Sequence, residues 1–412
     1  MKVICDRGAL LEAVNLVAAV VPTRTPSPQL SCVKLVASKG PGGAGELSLA
    51  GTDSETSLQV MVSQVDVVKP GQAAIPADKL RQIVSAEEGE PTLSIEVEGD
   101  ECHIRGSGAH FRVYGYPAAD FPPIPDLAAT IAGGVGTEAP RTIFSQSAGA
   151  LQSLVNRTVF ATARETSRYA INGVLLRRDG KKLEMVATDG RRLALCRASL
   201  SSERAGSGPG SAAGEGVSCI IPTKALSLAL KLVRDSDESV RIVITDTRIF
   251  FSFEQPGAGD AKSKAAAPVS RAVLTSTLVE GSFPPYEDVI PKEQDKKIVV
   301  DRDGLGRAVR KAAVLTNEES RGVRLSFKGA DKRLMISSRA PEMGEAEINV
   351  DLVSYEGDDV EISFNPAFIS DVLRVIEDPQ VVVELKASNR PGLMRSSNNE
   401  FQYVVMPVNL PQ

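Results

Sequence analysis

KVICDRGALLEAVNLVAAVV (residues 2–21) is a short β-favouring run, a charged turn, and then apolar residues at three- and four-residue spacing. That order is the signature of a strand leading into an amphipathic helix. The same sentence is written twice more, in RTIFSQSAGALQSLVNRTVFATA (141–163) and KKIVVDRDGLGRAVRKAAVLTN (296–317). A fixed recurrence of this kind governs the fold reading, because one supersecondary unit has been copied along the chain.

Working outward, each copy gains a strand about thirty residues on or slightly sooner: CVKLVA from Cys32, NGVLLRR from Asn172 and GVRLSF from Gly322. A partner strand follows across a Gly-rich or charged turn, in LSLAGTD (47–53), LEMVATDG (183–190) and RLMISSR (333–339), which fits a hairpin. A second strand-to-helix unit comes next, in AAIPADKLRQIVS (73–85), CIIPTKALSLALKLV (219–233) and ISFNPAFISDVLRVI (362–376). Pro76, Pro222 and Pro366 stand where a fixed φ and a missing N–H are tolerated at a helix start. Alternating strands close each third. The reading is three copies of a β-α-β-β-β-α-β-β unit, an α+β fold of antiparallel sheet with two helices per domain. The expected domains are 1–127, 138–294 and 295–412, with DLAATIAGGVGTEAP (126–140) as a loose linker. SSERAGSGPGSAAGEG (201–216) and QPGAGDAKSKAAAP (255–268) are low-complexity loops within the second copy.

Composition narrows the function. The 412 residues suit about three domains of roughly 150 residues each. No run approaches the roughly 18 apolar residues of a membrane span, and the N-terminus does not read as a signal peptide, so a cytoplasmic address is expected. Five scattered cysteines without a CxxC pair imply buried, reduced side chains, with no disulfide framework and no zinc site. Only two histidines are present, His103 and His110, which leaves little for histidine catalysis or metal binding. No cofactor is implied. Asp189, in TDGRRL, has an ordinary turn-forming reason for standing before Gly190. No phosphate-loop, nucleophile-elbow or zinc-protease motif occurs, so an enzyme is not expected.

A net charge of −5 argues against a surface that holds nucleic acid all over. Basic residues nevertheless recur on equivalent helices or their starts, among them Arg24, Lys79, Arg164, Arg168, Lys231 and Arg310. They suggest a local basic face that meets phosphates without reading bases. At the other end of the chain, YVVMPVNL (403–410) is an apolar strand broken by Pro407, and such an end must be packed, paired or offered to a partner.

RYAINGVLL (168–176), TDGRRLAL (188–195), FPPYEDVIP (283–291), NEESRGVRL (317–325), FNPAFISDVL (364–373) and YVVMPVNL, in this order on three repeats, closely resemble the bacterial DNA polymerase III beta subunit family, the sliding clamps. The resemblance covers essentially the whole chain apart from the two low-complexity loops. It implies a DNA clamp fold and a homodimeric ring that encircles duplex DNA without sequence preference. It also implies a processivity factor without catalysis, whose partners are the polymerase III alpha subunit, the clamp loader and other proteins bearing a clamp-binding motif. By the same likeness a peptide cleft is expected at Ile171, Thr188, Gly190, Arg191, Arg192, Leu193, Pro284, Val289, Asn365, Phe368, Val404, Val405, Met406, Pro407 and Val408. Contacts with DNA are expected at Arg24, Lys79, Arg164, Arg168, Tyr169, Lys231 and Arg310, and a subunit interface at Arg112, Val113, Val314 and Leu315. The chain departs from the family pattern at Asp288 and Asn409, where arginine is common, at Ser320, where an aromatic is expected, and at Ala170, where a DNA-facing tyrosine is expected. The alternative is a three-domain peptide-binding adaptor that does not encircle DNA.

Overall fold

The computed structural model describes residues 1–40, 43–163, 165, 169–200, 216–254, 270–316, 322–340 and 343–410. Arg164, Arg168, Ser320, Pro411, Gln412 and the low-complexity loops, apart from Gly216, lie outside the described residues. Seven helices are seen among the described residues: α1 (Arg7–Ala18), α2 (Ala77–Ala86), α3 (Leu127–Ala132), α4 (Ala148–Asn156), α5 (Thr223–Leu232), α6 (Arg302–Ala313) and α7 (Pro366–Val375). Helix α1 buries Leu10, Ala13, Val14 and Val17, the three- and four-residue spacing on which its assignment rests. Its start is fixed by Asp6, whose carboxylate accepts from the Ala9 amide at 2.8 Å; Asp301 does the same for Gly304 at the start of α6. A side-chain acceptor at this position satisfies one of the amide donors that a helix leaves unpaired.

The described residues pack as two compact units, each drawing on two of the three repeats. Unit one comprises 1–151, 200–213 and 224–278 and holds two antiparallel sheets. The five-stranded sheet runs Val65–Lys69, Lys2–Asp6, Thr92–Glu98, Glu101–Arg105, His110–Tyr114. In the eight-stranded sheet, Ser270–Thr277 pairs with Thr56–Val62, so the first and second repeats share one ladder. Unit two comprises 152–199, 214–223 and 279–412, and its twelve-stranded sheet joins the second and third repeats where Arg192–Ser199 pairs antiparallel with Phe401–Val405. Among the described residues this is an α+β arrangement of antiparallel sheets and few helices.

Two expectations are corrected. Each repeat carries more strands than β-α-β-β-β-α-β-β. The first adds Thr56–Val62, Val65–Lys69 and His110–Tyr114, and the third adds Gly344–Glu356. The last of these is thirteen residues long and alternates apolar with polar residues over AEINVDL (346–352), the apolar positions being the less exposed ones, as a half-buried strand does. The second correction concerns 126–140, which is not wholly loose. Asp126 caps α3 through the Ala128 and Ala129 amides, Gly133 ends it at φ 68°, and Leu127 packs with Val243 and Phe250. A six-residue helix without strong periodicity gives almost no sequence signal, and its existence here follows from that apolar contact.

All five cysteines are free and buried, and burial pushes the thiols of Cys5 and Cys102 up to about 12. They stay protonated and unreactive near neutral pH. One cation is also buried in unit one: Arg271, within the eight-stranded sheet, pairs with Glu238 at 2.7 Å, and both side chains are 7% exposed. Arg271→Ala, which strands a buried carboxylate, is expected to lower unfolding free energy by about 3–5 kcal/mol in urea titration. Replacing both partners, by Arg271→Met with Glu238→Leu, is expected to recover most of that loss, since neither half of the pair then remains buried alone.

Candidate functional site

The TDGRRL stretch folds as the hairpin turn between strands Lys182–Thr188 and Arg192–Ser199. Asp189 Oδ1 accepts from the amides of Arg191 and Arg192 at 3.0 Å each, Thr188 Oγ1 donates to the Arg192 carbonyl at 2.7 Å, and Gly190 takes φ 84°. A side chain closing its own turn is what this residue type does well, and Gly190 supplies the positive φ at no steric cost. Both oxygens of Asp189 are committed, because Oδ2 accepts from Arg192 Nε at 3.0 Å.

The strand that leaves this turn carries Leu193 and lies beside Phe401–Val405, in register Arg192↔Val405 and Leu193↔Val404. Met406 continues the ladder, its amide donating to the Arg191 carbonyl at 2.9 Å. Leu193, Val404 and Met406 with Thr188, Gly190 and Arg192 therefore make one wall of a cavity of about 210 Å³. Tyr169 and Ile171 approach from the segment before strand Gly173–Asp179, and Pro284, Tyr286 and Val289 from the segment that follows strand Ser270–Thr277. The lining is overwhelmingly apolar. Behind it lies a buried cluster that includes Leu175, Val186, Leu195, Ile220 and Leu393, so the cavity is backed by core and keeps its shape without a ligand.

Of the fifteen residues expected at the cleft, Ile171, Thr188, Gly190, Arg192, Leu193, Pro284, Val289, Val404 and Met406 are brought together on this lining. Arg191 is exposed beside it, and Val405 is fully buried within its strand. Asn365 caps α7 through the Ala367 amide, and Phe368 lies under the Arg192 guanidinium at 4.4 Å. Pro407 and Val408 follow the strand end, with the Val408 amide bonded to the Ser363 carbonyl at 2.9 Å. Asp288, on the short helical turn between Tyr286 and Val289, is exposed.

Of the residues expected to meet DNA, Arg24, Lys79, Lys231 and Arg310 are exposed, and Tyr169, which also lines the cavity, is 41% exposed. Arg310 belongs to a second, polar cavity of about 460 Å³ lined by Arg302, Arg307 and Arg374. Of the residues expected at a subunit interface, Arg112 and Val113 sit on the outermost strand of the five-stranded sheet. Val314 closes α6 and is 68% exposed, and Leu315 is half-buried. No group of three His, Cys, Asp or Glu among the described residues could hold a metal ion, and no described helix is long and apolar enough to cross a membrane.

Tyr286 was not anticipated. It forms part of the lining, is 5% exposed, and its hydroxyl donates to Glu184 at 3.1 Å while receiving Arg177 Nη1 at 3.5 Å. The available signal was an aromatic lying between Pro284 and Val289. Burial pushes its phenol up to about 12 from an ordinary 10. The neutral form is thus favoured by folding, and that share of stability holds below pH 10 and is lost as pH rises towards 12. Tyr286→Phe removes this titration, so its melting temperature is expected to fall less steeply than the wild type's across that window in a series of thermal melts.

Comparison with known proteins assigns the family. Three models match in chain order: the N-terminal domain of the DNA polymerase III beta subunit over 1–125, its central domain over 147–285 and its C-terminal domain over 287–409. The beta sliding clamp of Pseudomonas aeruginosa is 35% identical over 407 residues, covering 98% of this chain and 99% of that protein, and the clamp of Escherichia coli is 30% identical over 411 residues, covering all of both. The crystal structure of the P. aeruginosa clamp bound to griselimycin matches with a TM-score of 0.85 at 34% identity, and that of the Bacillus subtilis clamp with 0.85 at 27%, each over the full length of both chains. With three domain models matched in order and an apolar cavity built where the second repeat meets the third, the chain belongs to the DNA polymerase III beta subunit family, the bacterial sliding clamps.

Proposed function

We propose that this sliding clamp works as a homodimeric ring of two three-domain subunits that encircles duplex DNA in the cytoplasm. It performs no catalysis of its own and tethers the polymerase III alpha subunit, the clamp loader and other motif-bearing proteins through the cavity at Leu193 and Val404. The observation that carries the tethering is the cavity itself: a preformed apolar pocket with a few polar groups at its edge suits capture of a short linear peptide by one or two anchoring side chains. A chain with net charge −5 that carries exposed Arg24, Lys79, Lys231 and Arg310 suits loose, sequence-independent phosphate contact. Threading, and not affinity, then keeps the clamp on DNA.

Two free sheet edges support the dimer. His110–Tyr114 has a ladder partner on one side only, and so does the first half of Gly344–Glu356 among the described residues. A head-to-tail contact between such edges, near Val314 and Leu315 of one subunit, closes by symmetry into a ring.

Loaded on closed circular DNA, the protein is expected to stay bound in high salt and to leave once the circle is cut; equal loss from circular and linear DNA would refute encirclement in favour of the adaptor reading. Alanine at Arg24, Lys79, Lys231 or Arg310 is expected to lower the salt dependence of DNA contact by about one unit each, whatever the base sequence. At the cleft, Val289→Asp sets a carboxylate against apolar walls at a side chain that is already 36% exposed. The fold should survive, and affinity for a fluorescent peptide from the polymerase is expected to drop by about thirtyfold or more, on the order of 2 kcal/mol. Unchanged affinity would place the peptide elsewhere.

A further inference from the structure

Arg192 stands at the edge of the pocket, yet its side chain is only 10% exposed. A buried guanidinium persists only where its donors and its charge are met. Three elements meet them: Nε donates to Asp189 Oδ2 at 3.0 Å, Nη2 to the Phe160 carbonyl at 2.8 Å, and Nη1 to Asp371 Oδ2 at 2.7 Å. Burial works against the charge, and Asp371, Tyr403 and Asp189 outweigh it, so the proton is held more tightly than in a free arginine.

The contribution of α7 is the informative one. Phe368 and Asp371 are three residues apart and share one face of the helix. Asp371 grips the guanidinium by its edge, and the Phe368 ring lies across its face at 4.4 Å. The Phe368 carbonyl is itself fixed, accepting from the Tyr403 hydroxyl at 3.0 Å. Asp189 cannot stand in for Asp371, because its other oxygen already holds the two turn amides. Asp371 does not line the cavity.

We infer that Asp371 is a positioning residue of the cleft: by orienting Arg192 it fixes the face that Phe368 presents beside the apolar pocket, and so couples α7 to peptide binding without touching the peptide. This rests on the reading of the pocket as a peptide site. A planar, forked cation is suited to the task, since edge and face are bound at once and its orientation is set.

The test is a double-mutant cycle read as affinity for a fluorescent polymerase peptide, on wild type, Asp371→Asn, Arg192→Ala and the double variant, well below each melting temperature. Asp371→Asn is expected to weaken binding by about tenfold in the wild-type background and by less than about twofold once Arg192 is absent, the non-additivity of residues acting as one unit. A purely structural role would lower the melting temperature and leave affinity per folded molecule alone. Equal loss in both backgrounds, or no loss in either, overturns the inference. Failure of the wild type to bind the peptide would instead remove the cleft reading, and this inference with it. Were Asp371→Asn unfolded by circular dichroism, Asp371→Glu, which displaces the charge by one methylene, enters the same cycle with the same two outcomes.

Discussion

The site depends on one ladder: Arg192–Ser199 against Phe401–Val405, two strands about two hundred residues apart in the chain. Its register sets Leu193 opposite Val404 on the cavity side, and Ala194 opposite Tyr403 on the other. Because side chains alternate across a strand, a slip of one residue would send the apolar pair to the wrong face and bring Tyr403 towards the cavity. The fully buried Tyr403, packed 5.8 Å from Phe160 and bonded through its hydroxyl to Phe368, opposes that slip. A strand at the end of the chain thus supplies both a wall of the pocket and the anchor that holds α7 beside it.

The same seam decides how charge is handled. Arg192 is the last residue of the turn and the first of the strand, so forming the ladder buries it and obliges its surroundings to provide acceptors. Asp189, Asp371 and the Phe160 carbonyl are those acceptors, drawn from three separate stretches of chain. Arg271 and Glu238 show the same rule in unit one, where each ion is buried with its partner and the guanidinium is also bonded to the Leu232 carbonyl. Elsewhere the ion pairs are mostly exposed and contribute little to stability. The chain is acidic overall yet carries local clusters of arginine, such as Arg302, Arg307, Arg310 and Arg374 around one cavity, with Asp303 paired to Arg302 at its edge.

Much of this was legible in the sequence, for identifiable reasons. Strand-to-helix units announce themselves by apolar periodicity and by capping residues such as Asp6 and Asp301, which are local properties. The TDG turn is equally local, since its chemistry is complete within five residues. Weak signals belong to elements that depend on distant neighbours. The short α3 is a helix because Leu127 finds Val243 and Phe250. Tyr286 stands in FPPYEDVIP and Phe160 in the copied strand-to-helix unit, but neither stretch says what lies across from it, and that is what makes each matter.

The sequence by itself determined the threefold strand-helix pattern and the antiparallel α+β class, because each rests on residue types at short, fixed spacings, and it carried the family through the resemblance of six motifs in order along the chain. Only the tertiary structure decided that Leu193 and Val404 share a wall, that Tyr286 completes it, and that a single guanidinium joins the turn to α7 through Asp371. Those facts depend on the pairing register of strands far apart in the chain and on how a buried charge is satisfied, and neither is encoded in any one stretch of residues.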